Sequence, residues 1–209
     1  MAKIKNIVFD LGGVVFEIDK NRAIEHFNEV GFDDAKSYLD AFEQVGIFGQ
    51  LEAGQISAEE FRVELSKLAG KELTHEDCKH GWTGYYKSMH QYILDAIQDL
   101  RRQGYRVSLL SNTNPYMMEW ARSKDFDGNG NPVDHYFDKL YLSYECKVMK
   151  PAARIFEMML EGENARPEET LFIDDSPHNV AAAAALGIHT LQPANGEDWR
   201  EKLNAILNQ

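Results

Sequence analysis

Residues 4–15 read Ile4-Lys5-Asn6-Ile7-Val8-Phe9-Asp10-Leu11-Gly12-Gly13-Val14-Val15, and this stretch decides the fold. Positions 4–11 form an apolar run rich in Ile, Val and Phe that a glycine pair brings to an end, the pattern of a buried strand. Working outward, 105–111, 139–143, 171–173 and 188–191 read as further strands. Helical patterns separate them at 91–103, 115–123, 151–161 and 177–186. Pro115, Pro151 and Pro177 open three of these, and proline suits the first helical position. Gly104 and Gly187 follow two of them where a left-handed cap is expected. Strand and helix in alternation imply a parallel sheet with right-handed crossovers. The stretch between the first strand and residue 91 shows no strand pattern; 21–30, 34–45, 57–68 and 74–87 carry helical spacing, and Ser57-Ala58-Glu59-Glu60 is a capping box. An insertion there leaves the sheet at its carboxyl edge, where open α/β sheets bind ligands. The expectation is an α/β core of residues 1–15 and 91–209, covered by a small all-helical cap of residues 16–90.

Composition narrows the partners. The 209 residues carry 22 Lys and Arg against 34 Asp and Glu, a formal charge of −12, which disfavours nucleic acid in the absence of a basic patch. A chain of this size buries enough surface to fold without disulfides or structural metal. The longest uncharged apolar run, 180–188, is too short to span a bilayer. The run Ile7-Val8-Phe9 ends at Asp10, so no secretory signal is expected. Cys78 and Cys146 lack metal-ligand spacing and read as free thiols in a reducing cytoplasm, in a monomer or a homodimer.

Four segments bring polar side chains to the carboxyl edge of the sheet. Asp10 directly follows a buried apolar run, a costly place for a carboxylate unless it is paired, ligates metal or does chemistry. Ser111-Asn112-Thr113 ends the second strand with three hydrogen-bonding side chains. Lys150 precedes Pro151 at a helix start, where a cation and exposed amides can hold an anion; Lys147 is its rival for that place. Asp174-Asp175 follows Leu171-Phe172-Ile173, and these two acids beside Asp10 make a hard oxygen-donor site suited to Mg²⁺. A nucleophile, a hydroxyl-amide cradle, a lysine and a metal are what phosphoryl transfer needs.

Together these motifs resemble the haloacid-dehalogenase superfamily of hydrolases with a small helical cap, over nearly the whole chain. The resemblance implies a Rossmann-like core in which Asp10 attacks phosphorus and forms an aspartyl-phosphate. It implies that Ser111 and Asn112 bind the phosphate and that Lys150 steadies both nucleophile and phosphate. Mg²⁺ would be held by Asp10, the Gly12 carbonyl, Asp174 and Asp175, with Asp175 the direct ligand of the acidic pair. Phe9-Asp10-Leu11-Gly12, the run from Leu110 to Asn114, and Phe172-Ile173-Asp174-Asp175 are similar to a bacterial sugar-phosphatase branch, as are Gly54-Gln55-Ile56-Ser57 and His80-Gly81-Trp82 in the cap. That branch implies hydrolysis of a small phosphorylated metabolite such as a hexose 1-phosphate.

One departure stands out: Gly12 occupies the position where most phosphatases of the superfamily carry an Asp as general acid and base. Losing such a group costs about 10²–10⁴-fold. An anomeric phosphate would tolerate the loss, and turnover would then rise steeply with leaving-group acidity. Glu17, Asp19 and His26 near the cap entrance are candidate substitutes. Two rival readings are a metal-free 2-haloacid dehalogenase, which the crowding of three carboxylates without a cation opposes, and a non-catalytic protein that binds a phosphometabolite. Trp82, Tyr85 and Tyr86 read as lid core or as platforms for a sugar face. Residues 125–136 imitate the start of a calcium loop, but Tyr136 replaces the acid required at its end, leaving a polar turn.

Overall fold

The computed structural model describes residues 3–208; positions 1, 2 and 209 of the expected division lie outside them. In chain order the elements are β1 (Asn6–Phe9), β2 (Glu17–Ile18), α1 (Lys20–Glu29), α2 (Gly46–Glu52), α3 (Ala58–Ala69), α4 (His75–Thr83), β3 (Tyr86–Ser88), α5 (Gln91–Arg102) and β4 (Arg106–Ser111). There follow α6 (Pro115–Ala121), β5 (Lys139–Leu142), α7 (Ser143–Cys146), α8 (Ala153–Glu163), β6 (Thr170–Ile173), α9 (Pro177–Ala185), β7 (His189–Leu191) and α10 (Arg200–Leu207). The five strands expected from the apolar runs form one parallel sheet in the order β5-β4-β1-β6-β7.

Strand alternation sends side chains to two cores. Ile7, Phe9, Val107, Leu109, Leu171 and Ile173 face one, while Val8, Leu110 and Phe172 join Ile155, Phe156 and Met159 in the other. Both faces are covered, which is why the strands read as continuous apolar runs. From β1 the chain steps outward to β4 and β5, then returns to β6 on the opposite side. The carboxyl ends of β1 and β6 therefore flank the point where strand order reverses, the usual crevice of such sheets.

The insertion differs from expectation in three places. Residues 34–45 form no α-helix; after a 3₁₀ turn at Ala35–Ser37 the loop is fixed by Gln44, whose Oε1 accepts from the Asp40 amide and whose Nε2 donates to the Asp40 carbonyl. The stretch expected to be helical through 87 stops at Thr83, and β3 follows it. That strand pairs with β2, so a two-stranded antiparallel ribbon closes the root of the otherwise helical insertion. In the core, Pro115 and Pro177 do open their helices, whereas Pro151 lies in a turn before α8. Ser57 completes the expected capping box with Glu60.

Aromatic rings build the centre of the insertion. Phe48 is fully buried and meets Phe27, Phe61 and Trp82 at centroid separations of 5.1, 5.0 and 5.4 Å. Separate bonds tie the insertion to the sheet. Tyr116 donates to the Ala58 carbonyl at 2.7 Å, and Lys147 to the Gly54 carbonyl at 2.7 Å. Asn195 clamps Ile18, accepting from its amide and donating to its carbonyl, both at 2.9 Å. Among the described residues no helix is long and apolar enough to cross a membrane, and Cys78 and Cys146 are free. Replacing Phe48 with alanine should cost about 3–5 kcal/mol in urea unfolding; a loss below about 1 kcal/mol would show that the rings around it repack freely.

Candidate active site

The site begins with the strand ends. β1 ends at Phe9, and the Asp10 amide donates to the Ile173 carbonyl at 2.8 Å, locking the residue beside the end of β6. Its Oδ1 accepts from the Leu11 amide at 2.7 Å and faces Lys150 Nζ at 3.0 Å. Lys150 reaches this point from outside the strand, its Nζ also bonding Asp174 Oδ2 at 2.6 Å and the Leu110 carbonyl at 2.8 Å. Lys147, the rival lysine, points instead to the cap.

Asn112 lines the cavity, and its side chain has a further task. Its Oδ1 accepts from the Lys150 amide and its Nδ2 donates to the Lys150 carbonyl, both at 2.9 Å, so its side chain positions the lysine's backbone. Ser111 is buried at the end of β4 and lines the same cavity as Asp10. Its hydroxyl makes only a long contact, 3.3 Å, with the Asn112 carbonyl. Asn114 caps α6, accepting from the amides of Tyr116 and Met117.

The acidic pair divides its work. Asp174 is fully buried; beyond Lys150 its carboxylate accepts from the Ser176 amide and the Asn179 side chain. Among the described residues no other side chain bonds the Asp175 carboxylate, which accepts from its own backbone amide. Gly13, at φ +79°, makes room for it: a Cβ there would collide with the Asp175 carboxylate.

Electrostatics state what the site lacks. One ligand atom from each of Asp10, Asp174 and Asp175 lies within 4.8 Å of the others. Burial raises Asp10 to about 6, with Lys150 opposing and Asp174 reinforcing the shift. Burial, then Asp10 and Asp174, raise Asp175 to about 7. Burial alone would lower the Lys150 ammonium, but Asp10 and Asp174 overcome that and hold it above its ordinary value. One lysine against three carboxylates leaves negative charge uncompensated, and the free oxygens are hard donors. The set fits a divalent cation such as Mg²⁺.

Above the strand ends lies a cavity of about 90 Å³ lined by Asp10, Gly12, Ser111, Asn112 and Asp175 from below and by Phe16, Ile18, Gln44, Glu52, Trp82 and Tyr85 from the insertion. Trp82 and Tyr85 serve both as core and as lining. Tyr86 packs against Phe16 and Trp120 and does not line the cavity. Neither do the candidate substitutes for the absent acid. Glu17 pairs with Lys87 and Ser88, Asp19 caps α1, and His26 stacks on His80. Glu52 is the ionisable lining residue that the sequence did not single out. The imitation calcium loop is a turn locked by Asp127, which accepts from Asn129, Asn131 and Tyr136.

Comparison with known proteins identifies the family and the fold. The sequence model of the haloacid dehalogenase-like hydrolases matches residues 4–187. The chain is 48% identical over 205 residues to a D-ribitol-5-phosphate phosphatase of Bacteroides thetaiotaomicron, covering 98% of this chain and 99% of that one. A predicted HAD-like family hydrolase from Porphyromonas gingivalis superposes with a TM-score of 0.94 at 43% identity over the whole of both chains. A HAD family enzyme from B. thetaiotaomicron, solved with magnesium and inorganic phosphate, does so with a TM-score of 0.87 at 39% identity over 95% of this chain and 98% of that one. With the family match running from before β1 to beyond α9, the chain belongs to the haloacid dehalogenase-like hydrolases.

Proposed function

We propose that the protein hydrolyses phosphomonoesters of small sugars or sugar alcohols through an aspartyl-phosphate at Asp10. The observation that carries this reading is the Lys150 ammonium between Asp10 and Asp174, with Asp175 unpartnered beside them. Asp10 Oδ1 is held by Leu11 and Lys150, which fixes the carboxylate for attack on phosphorus. Lys150 neutralises charge on the nucleophile and on the phosphate oxygens as they approach. The Ser111 hydroxyl donates to a phosphate oxygen. Water then attacks the phosphorus of the acylphosphate and returns Asp10 as a carboxylate. Asp10, the Gly12 carbonyl, Asp175 and Asp174 are the residues that would hold Mg²⁺, Asp175 most directly because Asp174 is already saturated. Bound there, the ion supplies Lewis-acid neutralisation of the phosphoryl oxygens.

The hexose 1-phosphate expected from sequence is one member of this substrate class. The relative that acts on D-ribitol 5-phosphate supports another, a primary-alcohol ester, whose leaving group is a poorer one than an anomeric oxygen. The division into a core of 1–15 and 91–209 and a cap of 16–90, and a cytoplasmic location suited to two free thiols, belong to the same reading.

A panel of pentitol, pentose and hexose phosphates tests it directly. Phosphate release should require Mg²⁺ and fall by at least about 10³-fold in Asp10→Asn; release that survives EDTA or that substitution would sink the mechanism. A second expectation follows from linkage. Asp10 and Asp175 are raised to about 6 and about 7, above free carboxyls. Without a cation the folded state therefore keeps protons that the unfolded chain releases, and the stability this pair contributes is lost as pH rises from about 4 to about 7. The gain in Tm on adding Mg²⁺ should accordingly grow between about pH 5 and about pH 8, and Asp175→Asn should blunt that growth. A gain independent of pH would contradict the charge deficit.

A further inference from the structure

The cavity contains a carboxyl that the chemistry above leaves without a task. Glu52 closes α2, is 6% exposed, and is the one carboxyl among the described residues that the insertion contributes to the lining. Among the described residues no ion pair holds it. The Asn114 amide stands near it short of a formed bond, and Asn114 Nδ2 has no other acceptor. Trp82 Nε1, on another lining residue, is also buried without an acceptor.

The ionisable groups that face Glu52 are Asp10 from the sheet and Tyr85 from the insertion, and no cation does. The Tyr85 hydroxyl is turned to the Asp40 carbonyl and Gln44. Lys147, which follows the packed α7, is turned to Gly54. A carboxyl taken from water without a cation stays neutral. Burial pushes Glu52 up to about 8, partly countered by the Asn114 amide and reinforced by Asp10. Its position in the last turn of α2, the negative end of the helix dipole, works in the same direction.

We propose that Glu52 is the general acid and base of the reaction, supplied by the cap in place of the side chain that Gly12 lacks. The proposal rests on the phosphatase reading and deepens it. In the first half-reaction an Asp10 oxygen bonds to phosphorus and the bond from phosphorus to the ester oxygen breaks. The Glu52 proton leaves with that oxygen as the alcohol. In the second, water's oxygen bonds to phosphorus, the Asp10–phosphorus bond breaks with its electron pair returning to the carboxylate, and one water proton goes to Glu52. The products are the alcohol and inorganic phosphate, and Glu52 is neutral again. A neutral acid that titrates near the working pH is what such transfer needs.

The test compares wild type and Glu52→Gln with Mg²⁺ on ribitol 5-phosphate and on a series of aryl phosphates. Glu52→Gln should lose about 10²–10⁴-fold in kcat on ribitol 5-phosphate, and the loss should shrink at least tenfold on p-nitrophenyl phosphate, whose leaving group needs no proton. The wild-type kcat on ribitol 5-phosphate should fall as pH rises past about 8, and this limb should vanish in Glu52→Gln. Equal losses on both esters, or a change in KM alone, would overturn the role and leave Glu52 a hydroxyl-binding or packing residue. A second measurement needs no variant: in wild type the dependence of kcat on leaving-group acidity should be shallow, and a steep one would overturn the proposal. Wild type inactive on every ester would overturn the phosphatase reading along with this one.

Discussion

The Lys150 ammonium, with its side chain wholly buried, lies 2.6 Å from Asp174 Oδ2 and 3.0 Å from Asp10 Oδ1, and the sheet edge is organised around that pair of contacts. It is the only buried Lys or Arg among the described residues. Its backbone is gripped by Asn112 at the end of β4, while its charge links the ends of β1 and β6. Three neighbouring strands thus meet through one side chain. Removing that charge would leave buried carboxylates facing one another, which is far more damaging than the net worth of the ion pair suggests. The same arithmetic of charge explains why one lysine is insufficient and why Asp175 remains open to a divalent ion.

The cap solves a complementary problem. The core brings Asp10 and the Lys150 ammonium to the sheet edge but, with Gly12, no second carboxyl two residues after Asp10. The cap supplies an apolar shell whose burial pushes the Glu52 carboxyl up. Phe48, Phe61 and Trp82 make that shell stiff, and Glu52 comes from the same short helix as Phe48. Asp10 and Glu52 share one small cavity, with Lys150 beside the first and not the second.

What could be read in the sequence was what is local. Five apolar runs became five strands, and Asp10 and Asp174-Asp175 sit at strand ends because a carboxylate directly after a buried run has few other places to go. What escaped depends on distant contacts. Glu17 pairs with Ser88 across most of the insertion, in strands too short to show any period. The helical spacing of 34–45 is overridden by Gln44 bonding both polar groups of the Asp40 backbone. That the Asn112 amide holds the Lys150 main chain, beside lining the cavity, has no local signal in the sequence. Glu52, in Gln50-Leu51-Glu52-Ala53, looks like any exposed helix acid, and only closure of cap on core buries it.

A cavity of about 90 Å³ is small beside the 300–1,000 Å³ typical of sites that hold a small molecule. On the proposed reading, a sugar phosphate would be admitted by parting cap from core and then sealed in. The polar ties that resist parting are Tyr116 to Ala58, Lys147 to Gly54, Asn195 to Ile18, and Glu119 to His75 and Lys79. On that reading, selection by size would be exercised at closing. On the proposed mechanism, a ligand that is too long would hold the cap ajar, leave water in the cavity and keep Glu52 away from the ester oxygen, and so be bound without being cleaved.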